Sequence, residues 1–92
     1  MNVAIVGNAQ VNTEKIKDIA TMLTESGLDV RYPTLDSLET SEDFSIIEVF
    51  KRIDWANIIL AVPREGISFD AIVTSEIAYA KHCKKPVFIY YE

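Results

Sequence analysis

Histidine and cysteine are the scarcest chemically reactive residues of this sequence, with one of each, His82 and Cys83. A lone cysteine cannot form a disulfide within the chain, and no set of cysteines and histidines has the spacing of a zinc site. The sequence also lacks a Ser/His/Asp or Cys/His set of the hydrolase kind. We therefore expect no disulfide, no metal site and no other cofactor, and a reducing cytoplasm as the compartment.

Basic residues are few as well, nine against 14 acidic ones, and the formal net charge is −5. Nucleic-acid binding depends on clustered lysine and arginine side chains that displace counterions from the phosphates. An acidic chain of this kind is a poor match for DNA or RNA. We therefore expect no nucleic-acid polymer among its partners.

Long apolar runs and low-complexity tracts are missing too. Runs such as IILAV are far shorter than the roughly 20 residues that span a bilayer, and the N-terminus enters an ordinary strand rather than a signal peptide. We therefore expect no membrane partner. What remains is a chain of 92 residues with 49% hydrophobic content, which suits one globular domain over residues 1–92.

Apolar patterning predicts strands that alternate with helices. Short apolar runs indicate buried strands, and positions three or four residues apart indicate helices. Gly27 is a predicted helix C-cap, and Asn12 or Thr13 the N-cap of the same helix. The predicted strands are 3–6, 28–32, 57–62 and 86–91, and the predicted helices follow Asn12 or Thr13, run through Ile46 to Ile53, and cover 70–83.

This alternation predicts an α/β fold, a flavodoxin-like doubly wound parallel sheet of about four strands in the order 2-1-3-4 with helices on both faces. Ligands of such sheets bind beyond the carboxyl ends of the strands, where the winding direction reverses. That edge is expected to contain Gly7 to Gln10, the loop after Tyr32, and Pro63 to Asp70.

Glu76 is the strongest functional candidate, because it stands near the centre of the apolar face of the helix 70–83. An unpaired ionised carboxylate in such surroundings costs several kcal/mol or has its pKa raised. A glutamate that is kept there is therefore a candidate for a catalytic or binding role. The alternative is that Glu76 faces solvent or has a local partner. Asp70 is a candidate beside it if it belongs to the loop or the N-cap, and a plain N-cap otherwise.

Weaker candidates follow the first strand and precede the third. The backbone after Gly7 and Asn8 can approach a ligand closely, although a G-x-G-x-x-G fingerprint is absent. Asn57 is either part of the substrate loop or a local cap. We expect His82 in a solvated basic cluster and Cys83 in a packed position.

The second half of the chain resembles the nucleoside 2-deoxyribosyltransferase family and its relatives that hydrolyse deoxynucleotide N-glycosidic bonds. The family shows Ala-Asp before an apolar strand, then Asp-x-Gly-Thr-x-x-Glu, Gly-Tyr-Ala and a Gly-Lys-Pro-Val strand. Matching elements occur here in the same order: Ala56-Asn57 before IILAV, Asp70 six residues before Glu76, Ile77 to Ala80, and Lys85 to Val87.

The resemblance implies a transferase or hydrolase of nucleotide metabolism that acts on a small nucleoside or nucleotide. Glu76 would be the nucleophile at the anomeric carbon, Asp70 would hold or protonate the substrate, and Gly7, Asn8 and Asn57 would shape the substrate loop. A carboxylate suits this chemistry because it stabilises an oxocarbenium-like transition state and can trap the sugar as an ester.

Three alternatives stay open at this point. Ile72 and Val73 replace the family's Gly-Thr, which is compatible with a non-catalytic module that binds a nucleotide or a nucleotide-derived signal. Cleavage of the N-glycosidic bond of NAD is a variant within the enzyme class, because Toll/interleukin-1 receptor domains also use a glutamate on a helix. The third is a small interaction protein. A small core favours self-association, so we expect a homodimer or a higher homo-oligomer.

Overall fold

The computed structural model describes residues 1–33, 50–63 and 71–90. Its described strands form one parallel sheet in the order β2-β1-β3-β4, which confirms the predicted flavodoxin-like α/β fold and its strand order. The elements are β1 (Asn2–Gly7), α1 (Ala9–Glu25), β2 (Asp29–Arg31), α2 (residues 50–55), β3 (Ile58–Val62), α3 (Ala71–His82) and β4 (Val87–Ile89).

The two central strands are apolar along their length because both faces of the sheet are covered. Side chains alternate between the faces, so neighbouring residues of β1 join different clusters. One cluster packs against α1 and contains Ile5, Ile16, Ile19, Ala20 and Val62. The other contains Ala4, Val6, Ile53, Ala56, Ile59, Ala61, Val73 and Ala80, which come from β1, β3, α3 and the α2 region.

Two helices end in the same C-terminal motif, with a left-handed residue after the last turn. Gly27 has φ +93°, and Leu28 N donates to Leu23 O at 3.2 Å, so the predicted C-cap of α1 is confirmed. At the end of α3 the left-handed residue is Lys84, with φ 60°, and Lys85 N donates to Ala80 O at 3.0 Å. A lysine there has a Cβ that makes this conformation costly.

Several predicted boundaries are wrong by a few residues. α1 begins at Ala9, before the predicted N-cap, and the backbone at Asn12 is kinked (φ −114°, ψ 29°). β2 and β4 are shorter than predicted, because each lies at an edge of the sheet and pairs on one side only. Ile46 and Ile47 of the predicted second helix lie outside the described residues. Across the three described ranges, the structure has no helix that could cross a membrane.

Candidate functional site at the carboxyl edge of the sheet

The winding direction reverses between β1 and β3, so the crevice beyond their carboxyl ends is the expected ligand site. Gly7 ends β1 and pairs in register with Val62, the last residue of β3. A Cβ on Gly7 would lie 3.1 Å from Val62 O and 3.2 Å from Ile16 Cδ1. Glycine at this position therefore allows α1 to pack closely on the sheet.

Asn8 follows Gly7 at the same edge, as predicted. Its carbonyl oxygen accepts a hydrogen bond from Asn12 N at 2.9 Å, which closes the first turn of α1. The backbone of Asn8 thus leads directly from the end of the strand into the helix. This is the place where the sequence predicted a close approach of the backbone to a ligand, and that role stays a prediction.

Asn12 connects the start of α1 with the carboxyl end of β3. It is buried, and its Nδ2 donates to Pro63 O at 2.9 Å. Pro63 directly follows β3, so the bond connects the first turn of α1 with the end of that strand. The sequence suggested only an N-cap for Asn12, and no local pattern marks a bond between residues 51 positions apart.

Glu76 lies on the side of α3 that faces the sheet. Val73 and Ala80 precede and follow it at helical spacing, and both belong to the core cluster beneath the helix. Glu76 is 8% exposed, compared with 3% for Val73 and 0% for Ala80. Glu76 is therefore a buried residue of α3, and its predicted role at the reacting carbon stays a prediction.

The position of Glu76 along α3 places it below the carboxyl edge. α3 runs antiparallel to the strands, since its far end leads to Pro86, whose carbonyl accepts a hydrogen bond from Ile59 N at the start of β3. Five residues separate Ala71 from Glu76, a rise of about 7.5 Å at the helical 1.5 Å per residue. The carboxylate is therefore about one and a half turns from the end of α3 nearest the crevice.

Ile72 and Val73, which stand where the resembling family has Gly-Thr, are only partly described by the structure. Val73 is 3% exposed and packs in the core cluster with Ala4, Val6 and Ala61. Its branched side chain is accommodated by small residues of the sheet, so it is part of the helix–sheet interface. The side chain of Ile72, Asp70 and the segment 64–70 lie outside the described residues, so the predicted role of Asp70 stays a prediction.

Asn57 lies at the opposite edge of the sheet. Its Oδ1 accepts a hydrogen bond from Asn2 N at 2.8 Å, and its own N donates to Asn2 O at 2.8 Å. Asn57 precedes β3, which is five residues long, so about 16 Å of strand separates it from the carboxyl edge at about 3.3 Å per residue. In the structure Asn57 links the amino ends of β1 and β3, and its predicted substrate-binding role stays a prediction.

Tyr79 is oriented by α2 and not by the crevice. Its hydroxyl donates to Asp54 Oδ1 at 2.8 Å, and its ring stacks on Phe50 with the centroids 4.1 Å apart. The hydrogen bond to Asp54, together with a smaller contribution from Cys83, raises the pKa of Tyr79 above its ordinary value. Lys85 Nζ donates to Ala56 O at 2.8 Å beside it, so this group fastens the end of α3 to the end of α2.

The arrangement defines a doubly wound, flavodoxin-like α/β fold with a shielded glutamate on the helix that follows β3. This chain is similar to a CMP N-glycosidase, BcmB of Clostridium botulinum, with a TM-score of 0.74 and 20% identity over 97% of this chain and 67% of that one. It is also similar to a 2-deoxyribosyltransferase of Bacillus psychrosaccharolyticus, with a TM-score of 0.78 and 15% identity over 97% of this chain and 71% of that one.

Sequence comparisons add no family assignment. A scan against protein-family models and a search of curated proteins both find no match. At 15–20% identity, the two structural neighbours show that the fold is shared. What those neighbours act on bears on this chain only as a proposal.

Proposed function

We propose that this protein cleaves or transfers the N-glycosidic bond of a nucleoside or nucleotide, with Glu76 as the nucleophile. The single observation that carries the proposal is the burial of Glu76, which is 8% exposed between two core residues of α3. Burial excludes a purely solubilising role for this carboxylate, and the alternative of a local structural partner is tested by the Glu76→Gln variant below. Two enzymes of glycosidic-bond chemistry share the fold, which supports the same use here.

The proposed reaction begins when a carboxylate oxygen of Glu76 attacks the anomeric carbon of the sugar. The bond between that carbon and the base nitrogen breaks, and its electron pair leaves with the base. Asp70 supplies or positions the proton that the departing base takes up. The resulting ester between Glu76 and the sugar is released by water in hydrolysis, or by a second base in transfer.

Low hydration of Glu76 is the physical advantage of this arrangement. Positive charge develops on the sugar as the base departs, and a nearby carboxylate stabilises that charge more strongly in a medium of low dielectric constant than in water. Val73 and Ala80 exclude solvent on either side of Glu76 along the helix. Gly7 and Asn8 lie at the edge of the sheet where the substrate is expected.

Product analysis with a panel of substrates tests the proposal. The panel contains deoxynucleosides, their monophosphates, CMP and NAD, each with and without an acceptor base, and chromatography detects free base or exchanged nucleoside. We expect release from the wild type and a loss of roughly 10³-fold or more in Glu76→Gln. Glu25→Gln is the matched control, because the same change is made at an exposed position of α1 and should leave the rate unchanged.

A covalent intermediate gives a second readout. Rapid acid quench followed by peptide mass spectrometry should find a pentosyl or deoxypentosyl adduct on the peptide that contains Glu76. No base release by the wild type from any member of the panel would falsify the enzymatic proposal. Full activity in Glu76→Gln would remove the nucleophile assignment and leave the reaction class standing.

A binding module without chemistry is the second candidate, and one observation favours it. Val73 replaces a threonine of the family pattern and packs in the core, so this position offers no hydroxyl group to a substrate. Calorimetry with the same panel separates the two functions. Nucleotide affinity that survives Glu76→Ala, in a protein without turnover, would identify the binding module.

A further inference from the structure

The buried amide of Asn12 lies where the two halves of the fold meet at the carboxyl edge. Only 8% of the residue is exposed, and its Nδ2 donates to Pro63 O at 2.9 Å. The backbone at Asn12 has φ −114° and ψ 29° inside a helix. The kink and the hydrogen bond occur at the same residue, and together we call them the Asn12 clamp.

The Asn12 clamp spans the switch point of the sheet. On one side it holds the first turn of α1, which starts directly after β1, and on the other it holds Pro63, which directly follows β3. Gly7 and Val62 pair beneath it as the last residues of these two strands. The chain therefore has a fixed polar connection across the line where ligands of doubly wound sheets bind.

We propose that Asn12 is a positioning residue that sets the separation of α1 and the end of β3, and thereby the width of the ligand crevice. The ligand is the nucleoside or nucleotide of the proposed function, on which this inference rests. Asn12 acts through the Pro63 carbonyl group and not by contact with the reacting atoms. A donor is required at this position, because its partner is a carbonyl oxygen that can only accept.

Two asparagine-to-aspartate substitutions give a matched comparison. Asn12 donates through its side-chain nitrogen, so Asn12→Asp abolishes the bond and places an acceptor against Pro63 O. Asn57 accepts through its side-chain oxygen, so Asn57→Asp keeps its bond to Asn2 N. The two variants thus make the same chemical change at opposite edges of the sheet, with opposite consequences for the hydrogen bond.

Amide hydrogen exchange of the ligand-free protein measures the first consequence. In Asn12→Asp we expect the protection factor at position 12, which is the intrinsic exchange rate of that amide divided by its observed rate, to fall about tenfold relative to the protection factor at position 57, the loss that one buried hydrogen bond typically produces. In Asn57→Asp the same ratio should stay within about twofold. An unchanged ratio in Asn12→Asp, or an equal acceleration at both amides, would overturn the Asn12 clamp. Asn12→Ala serves the same test if Asn12→Asp does not fold.

Steady-state kinetics with a substrate from the panel measures the positioning role. A wider crevice binds substrate less well, so we expect KM to rise about tenfold in Asn12→Asp and kcat to change less than twofold. Simple destabilisation lowers the folded fraction and hence kcat, with KM unchanged, and that result would overturn the positioning role. If the wild type releases no base, the proposed function fails, and the exchange comparison decides the clamp without a ligand.

Discussion

Replacing Gly7 by alanine should destabilise the fold through a collision between the sheet and α1. The new Cβ would lie 3.1 Å from the Val62 carbonyl oxygen and 3.2 Å from Ile16 Cδ1. The carbonyl group belongs to a strand paired in register with β1, and the Ile16 side chain is 1% exposed. The carbonyl oxygen is held by the sheet, so the buried Ile16 side chain and α1 would have to shift by a few tenths of an ångström.

The expected cost follows from two opposing effects. Overpacking a filled interior destabilises the folded protein by roughly 1–3 kcal/mol. Alanine also restricts the backbone of the unfolded chain, which stabilises the folded protein by about 0.4–1 kcal/mol. The net loss in the free energy of unfolding lies between about 0 and 2.6 kcal/mol, with a central value of about 1.3 kcal/mol. For a chain of this length that central value lowers the melting temperature by roughly 5–10 °C.

Thermal and urea unfolding, followed by circular dichroism, measure this loss, and a double-mutant cycle with Ile16→Val identifies its cause. Ile16→Val removes the Cδ1 atom and costs about 0.5–1.5 kcal/mol by itself. In the double variant the Cβ of alanine gains room, so the combined loss should fall short of the sum by about 0.5 kcal/mol or more. Strict additivity of the two losses would refute the collision.

Gly27 provides the contrasting control. Its φ is +93°, and among the described residues, apart from its two chain neighbours, no atom lies within 4 Å of a Cβ placed there. A side chain at this position is therefore penalised by the backbone conformation and not by lack of space. Asparagine tolerates this conformation better than alanine, hence Gly27→Asn should cost less than Gly27→Ala. At Gly7 the order should be reversed, because the larger side chain collides more. If the alanine and asparagine variants ranked in the same order of stability at Gly7 and Gly27, the distinction between a steric cost and a conformational cost would be contradicted.

Three further predictions concern the C-terminal end of α3 and two side-chain contacts. Lys84→Gly should raise the free energy of unfolding by about 0.5–1 kcal/mol in urea, because glycine accepts φ 60° without the Cβ penalty; a lower stability would refute the strain. The wild type should be more stable than Tyr79→Phe at neutral pH, and this advantage should shrink above about pH 10, because Asp54 holds the pKa of Tyr79 above that of the unfolded chain. A constant difference in urea midpoint across that range would contradict the assignment. Arg31→Gln should cost about 0.5–1 kcal/mol and change the fluorescence of Trp55, over whose ring the guanidinium lies at 4.2 Å; an unaltered emission spectrum would exclude the contact in solution.

Sequence alone predicted the features that depend on neighbouring residues. Continuous apolar runs indicated the two central strands, and the alternation of strands with helices indicated the parallel order 2-1-3-4, which the structure confirms. Helical spacing placed Glu76 on the buried face of α3, and Gly27 marked the end of α1. Each of these features depends on periodicity or backbone conformation within a few residues, so it can be read without the tertiary structure.

Tertiary structure decided which distant residues meet. Asn57 matched the Ala-Asp position before an apolar strand in the family pattern, but strand register places it at the amino edge of the sheet, where it is hydrogen-bonded to Asn2. Asn12 was expected to be a cap, and folding brings it to a carbonyl group 51 residues away. Tyr79 lies one turn beyond Glu76 on α3, and its hydroxyl donates to Asp54 on another helix. Such contacts depend on the packing of whole elements against one another, which local periodicity does not specify.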